Sequence, residues 1–363
     1  MRFPEFSGEW ERHSLGEIGS TLIGLTYSPA DVVKEDGVIV LRSSNIQDGE
    51  IDYKDLVRVN KKIKDSLFTK KNDILICARN GSSRLIGKNA LISDDDTGHS
   101  YGAFMMVYRS EANPYVRQLL CTKRYFAQVG ENLGARINQI TTSDMNSFEF
   151  FFPQSKEERN KIALFLRLID ERISTQKKII NKYESLIRGL CEKLTRQGVA
   201  NKTINECLDC HTSTLQESVV SDTGEYPVYG ATGVCGYTES NDITDDGILI
   251  IKDGASVGTT YYASGFYSHI GTLNRLTARE GANLRYIYYC LKIMNFAPYK
   301  TGLAIPHIYF KDYGKHKIWC PPHELQSYIA NLLMQIDDKI QVEKSLWERL
   351  DSQKRFLLHS MLI

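Results

Sequence analysis

Ile162-Ala163-Leu164-Phe165-Leu166-Arg167-Leu168-Ile169-Asp170-Glu171-Arg172-Ile173 returns later in the same chain as Ile329-Ala330-Asn331-Leu332-Leu333-Met334-Gln335-Ile336-Asp337-Asp338-Lys339-Ile340, at a constant offset of 167 residues. A proline leads into each copy, in Phe151-Phe152-Pro153 and in Trp319-Cys320-Pro321-Pro322. A repeat this long sets the architecture, since each copy is one structural unit. Around the first copy, Ile162, Leu166, Ile169, Ile173, Gln176, Ile180, Tyr183, Ile187, Leu190 and Leu194 follow each other at steps of 4 and 3. That is the seam of a coiled coil, narrower than the stripe of an ordinary surface helix. The second seam, Ile329 to Met361, keeps the same phase. The spacing predicts helices from Glu157 to Arg196 and from Glu324 onward, the first ~60 Å long at ~1.5 Å per residue. Gly198 reads as the C-cap of the first. The matching polar positions Gln176 and Glu343 are expected to form one layer where two antiparallel helices meet at their middles. The competing reading, a helical pair inside an ordinary core, does not account for the unbroken 4-3 spacing.

A length of 363 residues suggests two or three domains. A composition that is 42% hydrophobic and 25% charged fits a chain that buries real cores. No apolar run approaches the ~18 residues of a membrane span, and Met1-Arg2-Phe3-Pro4-Glu5 does not read as a signal peptide, so a cytoplasmic protein with no membrane partner is expected. Eight scattered cysteines read as buried thiols. Cys207-Leu208-Asp209-Cys210-His211 has the haem-attachment pattern, or half a zinc site. No second ligand pair stands at suitable spacing, and coincidence is the reading adopted. Net charge is only +1, but Lys54 to Lys71 holds seven basic residues against two acidic ones, and Lys292 to Lys317 holds five against Asp312 alone. Such clusters can neutralise phosphates, or be plain solvated faces.

Taken in order, the chain reads as globule, helix, globule, helix: 1–153, 154–198, 199–320 and 321–363. In the first globule Val38 to Leu41 and Asp73 to Cys77 read as buried strands, each running into a polar loop, and Tyr115 to Gln128 reads as a helix. The second globule repeats the plan. Asp246 to Gly254 takes the place of Asp73 to Gly81, Tyr229-Gly230-Ala231-Thr232 that of Arg42-Ser43-Ser44-Asn45, and Gly302 to Ile308 that of Gly134 to Ile140. A helix is expected at Asn283 to Met294. The helices match closely while the loops differ, as if one geometry reads two different things; loops on rigid scaffolds are where recognition sits. Catalytic motifs do not stand out. Asn113-Pro114-Tyr115 lacks the second proline of an adenine methyltransferase loop, Cys320-Pro321-Pro322 reverses the nucleophilic Pro-Cys order, and Lys252 to Gly258 lacks the end of a Walker loop.

With these residues assembled, the chain resembles the specificity subunits of type I restriction-modification enzymes over nearly its whole length. The paired helix motifs carry the resemblance, with Tyr226-Pro227-Val228-Tyr229-Gly230-Ala231-Thr232-Gly233 and the opening Arg2 to Trp10. It implies an α+β fold: two pseudo-symmetric mixed α/β target-recognition domains joined by two long antiparallel coiled-coil helices. It implies a non-catalytic chain that reads a bipartite duplex DNA target. Two modification (methyltransferase) subunits would dock at the helix–domain junctions and a restriction (motor-nuclease) subunit would join them. The chain itself would bind no cofactor; S-adenosylmethionine, ATP and Mg would act in the partner subunits, and helix length would set the gap between half-sites. DNA contacts are expected in the first domain from Arg42, Ser43, Asn45, Arg79, Asn80, Ser82, Arg84, Lys88, Arg136, Asn138 and Gln139. In the second they are expected from Tyr229, Thr232, Lys252, Ser256, Lys300, Thr301 and His307. The alternative is a coiled-coil scaffold whose globules bind proteins or glycans.

Overall fold

The computed structural model describes residues 1–133, 138–241, 243–302 and 304–362. Two compact units divide the chain: Met1–Lys177 with Leu346–Ile363, and Lys178–Ser345. Each takes one globule and part of both long helices.

In the first unit the strand that opens the globule pairs with the one that closes it, Trp10–Ser14 antiparallel to Glu149–Pro153. Its main sheet has the order Ser20–Ile23, Met105–Arg109, Ile74–Cys77, Asn89–Leu91. Side chains alternate faces along a strand. Leu75, Cys77, Met105 and Val107 enter a core with Leu41, Ile46 and Tyr101, while Ile74, Ile76, Met106 and Tyr108 enter the core shared with the helices. Both faces are buried, which is why Ile74 to Cys77 reads as an unbroken apolar run. The single helix expected over Tyr115 to Gln128 is instead two, Asn113–Leu119 and Lys123–Leu133. Thr122 begins the second: its hydroxyl accepts from the Tyr125 N–H at 3.3 Å.

The second unit rebuilds this plan. Lys202–Thr203 pairs with Lys317–Ile318, and the main sheet runs Leu208–Thr212, Leu273–Ala278, Gly247–Ile251, Thr260–Ala263. Leu249, Ile251 and Leu273 face one core, and Ile248, Ile250 and Leu276 the other. Asn283 caps the helix Leu284–Lys292, its side chain accepting from the Tyr286 N–H.

The long helices are Lys156–Thr195 and His323–Met361. All twenty seam positions are buried or half-buried. Within the first unit Ile162 and Leu166 share a core with Leu357, Leu358 and Met361, and Lys354 pairs with Asp170. Within the second, Ile187 and Cys191 share a core with Ile329, Leu333 and Ile340, and Lys344 lies 2.6 Å from Glu184. In both the numbering rises along one helix as it falls along the other, so the packing is antiparallel. The polar side chains of Gln176 and Glu343 are buried, and Glu343 pairs with Lys339. Gln176 belongs to the first unit and Glu343 to the second, and the layer they are expected to share stays an expectation.

The repeated aspartate has a structural role in each copy. Asp170 accepts from Gln118 at 3.3 Å, and Asp337 takes Lys292 at 2.9 and 3.2 Å. Each thereby ties a long helix to a short helix of its globule. Lys292 is therefore engaged, and not a free member of a phosphate-neutralising cluster. Gly198 lies three residues past the helix end and is not in the left-handed region. It is needed because a Cβ there would overlap the Trp319 indole.

Candidate nucleic-acid interface

Three loops of the first unit meet at the ends of its central strands. After Ile74–Cys77 the chain turns through Gly87, whose positive φ of 81° suits glycine. The Ala78 N–H donates to the Phe104 carbonyl at 2.9 Å, the Ala78 carbonyl accepts from the Ile140 N–H at 2.9 Å, and the Asn80 N–H donates to the Asn138 carbonyl at 3.4 Å. Arg79 forms a bridge with Gln139. Side chains extend the cluster: Asn80 donates to the Ser43 hydroxyl at 3.0 Å and Asn138 to the Gly81 carbonyl at 3.1 Å. Thus Ser43, Arg79, Asn80, Asn138 and Gln139, far apart in sequence, stand together. Ser82 and Arg84 are exposed on the same loop, and Lys88 is half-buried just beyond it. Arg136 lies outside the described residues.

Two first-domain expectations change. Asn45 is fully buried; its side-chain oxygen Oδ1 accepts from the Arg42 N–H, and its side-chain amide Nδ2 donates to the Asp52 and Asp55 carbonyls at 2.9 and 2.8 Å. It holds the loop together and offers nothing outward. Arg42 pairs with Asp55 at 2.7 Å at the surface, and a contact with DNA would have to displace that pair. Phe104, which sequence reasoning passed over, is 58% exposed, and the Arg79 guanidinium lies 5.1 Å from its ring centre. Its signal was an aromatic directly after Gly102-Ala103, between two strands.

The second unit repeats this hydrogen-bond pattern. Lys252 donates to the Thr272 carbonyl at 3.0 Å and accepts from Ile308 at 2.9 Å; Gly254 donates to Pro306 at 3.0 Å; Asp253 bridges His307; and Gly258 has φ 93°. Lys252 therefore stands where Ala78 does, and Asp253 where Arg79 does. The sequence comparison had set Lys252 against Arg79, one residue out of step. A similar slip affects Tyr229. The Ile270 N–H meets its carbonyl as the Gly102 N–H meets that of Leu41, so Tyr229 holds the place of a buried strand residue. It is half-buried against Tyr267, at 5.8 Å between ring centres, and burial raises the pKa of its hydroxyl. It belongs mainly to the core. Thr232 is exposed at a hairpin tip, Ser256 is exposed on the Lys252 loop, and Lys300 and Thr301 are exposed beside His307. Thr301 and His307 exchange backbone hydrogen bonds of 2.8 Å.

Cys207 ends a short helix and Cys210 lies in the following strand. Burial pushes their thiols up to about 12 and about 11. No group of three or more potential metal ligands occurs among the described residues, nor is any helix there long and apolar enough to cross a membrane.

One scaffold built twice, each copy presenting a different polar loop cluster, defines a two-module recognition protein. The sequence profile of the type I restriction modification DNA specificity domain matches residues 7–185 and again 198–351, and the chain belongs to that family. It is 25% identical over 194 residues to the type I restriction enzyme EcoKI specificity subunit of Escherichia coli K12, covering 50% of this chain and 42% of that one. It is 25% identical over 179 residues to the StySPI specificity subunit of Salmonella potsdam, covering 44% and 37%. The matches thus span less than half the length of either relative. In fold it is similar to the crystal structure of the type I restriction-modification S subunit from M. genitalium, with a TM-score of 0.70 and 17% identity over 100% of this chain and 99% of that one.

Proposed function

We propose that this chain is the DNA-recognition subunit of a type I restriction-modification complex. Each unit reads one part of a split duplex target, and the chain carries out no chemistry itself. The observation that carries this reading is the pair of equivalent loop clusters, centred on Arg79–Gln139 and Asp253–His307, built from the same backbone hydrogen bonds and presenting different side chains. A scaffold that merely bound proteins or glycans would not call for that pairing of constant frame and varied loops.

The partners are two modification subunits, with a motor-nuclease subunit joining them. Apolar side chains that lie off the seam suit such docking: Leu164 and Leu168 in the first unit and Tyr328 in the second are 48%, 52% and 68% exposed. Adenine methylation and cleavage then take place in the partners, which hold S-adenosylmethionine, ATP and Mg. Selection of duplexes from a random library, with and without a modification subunit, tests the reading. Two short base sets separated by unread positions are expected. An assembled complex that selects no sequence, or methyl transfer by the purified chain with S-adenosylmethionine, overturns it.

A further inference from the structure

At the same place in the fold the two units carry opposite charges. Arg79 and Asp253 share one backbone environment: each follows the residue that bridges two strand-end loops, and each bridges a residue of the third loop, Gln139 or His307. Their settings differ accordingly. Arg79 lies over the exposed Phe104 ring. Asp253, 32% exposed, has Oδ1 held 2.6 Å from His307 Nδ1, and among the described residues no Lys or Arg pairs with it. One carboxylate oxygen is therefore oriented, and the other remains free to accept.

A carboxylate in a DNA-facing loop is repelled by phosphates and by the acceptor atoms of guanine and thymine. On the major-groove edge it can be satisfied only by an amino group, N4 of cytosine or N6 of adenine. An arginine fork suits the opposite pattern, the O6 and N7 acceptors of guanine. Resting on the DNA-binding reading above, we propose that Asp253, oriented by His307, is a specificity-determining residue of the second unit. It selects an amino-bearing base at one position and rejects guanine and thymine there, while Arg79 in the equivalent place selects guanine in the first half-site.

The test uses the full-length chain assembled with its modification subunits and a random duplex library. Wild type should select cytosine or adenine at one position of the second half-site, and the base recovered tells which amino group is read. Asp253→Asn, which keeps the shape and loses the charge, should relax that position alone, by roughly 5- to 150-fold in discrimination. Asp253→Arg should move its preference to guanine. The first half-site should be unchanged in both variants, which also shows that they fold and assemble. An unchanged second half-site in both variants overturns the inference but leaves the DNA-recognition reading intact. A wild-type complex that selects no sequence defeats that reading and the inference with it. Loss of every preference in the second half-site on Asp253→Asn would assign Asp253 a structural role instead.

Discussion

Arg79 and Asn45 are both polar loop residues, and the sequence treats them alike; their surroundings set them apart. Arg79 is exposed over Phe104 and meets no carboxylate among the described residues. Replacing it with alanine should weaken binding of the cognate duplex by ~1–3 kcal/mol and relax one base of the first half-site. Phe104→Ala removes only the support under the guanidinium, an exposed cation–π contact of ~0.5–1 kcal/mol, so the loss should be smaller and at the same base. Titrations against duplexes varied one base at a time compare the two; a Phe104→Ala defect spread evenly over both half-sites would contradict the assignment. Asn45→Ala should act on folding instead. It leaves the Asp52 and Asp55 carbonyls without their partner, at ~1–3 kcal/mol for each group that stays dry. Urea unfolding should show this loss, and a variant as stable as wild type would mean that water replaces the amide.

At the scale of elements, the helix pair is held by its seam, and the two repeated aspartates tie the long helices to their globules. Leu166 is fully buried in the first unit's core. Leu166→Ala should cost ~2–5 kcal/mol, the range for truncating a large aliphatic side chain in a packed core. Leu168, 52% exposed two residues along the same helix, should cost far less on truncation. Thermal unfolding of the two variants side by side measures the contrast, and equal losses would mean that the seam was misassigned. The 4-3 spacing made this distinction legible in advance. The two slips of register, at Lys252 and Tyr229, were not legible, because the diverged loops differ in length and only the backbone hydrogen bonds show which residues correspond.

For the whole molecule, the two compact units divide both helices near their middles. If helix length sets the gap between half-sites, one heptad inserted after Gln176 and one after Glu343 keeps the apolar seam in phase. The pair lengthens by ~10 Å at ~1.5 Å per residue. With duplex DNA rising ~3.4 Å per base pair, the unread gap should widen by up to ~3 base pairs while both half-sites stay as they were. Sites selected by the lengthened complex decide this; an unchanged gap would show that the helices are not the ruler.

The sequence by itself determined the repeat, the two long helices, their seam and the alternation of globule and helix. These follow from periodicity, and a heptad pattern admits few structures. It also placed Ser43, Arg79, Asn80, Asn138 and Gln139 in loops. What only the tertiary structure decided is which of those loops meet, that Asn45 and Tyr229 turn inward, and that Phe104 and Asp253 stand at the candidate interface. A loop residue's role depends on partners distant in the chain, Asn80 on Ser43 and Asp253 on His307. Local pattern encodes a helix, but these contacts exist only once the strands that carry the loops have been brought side by side.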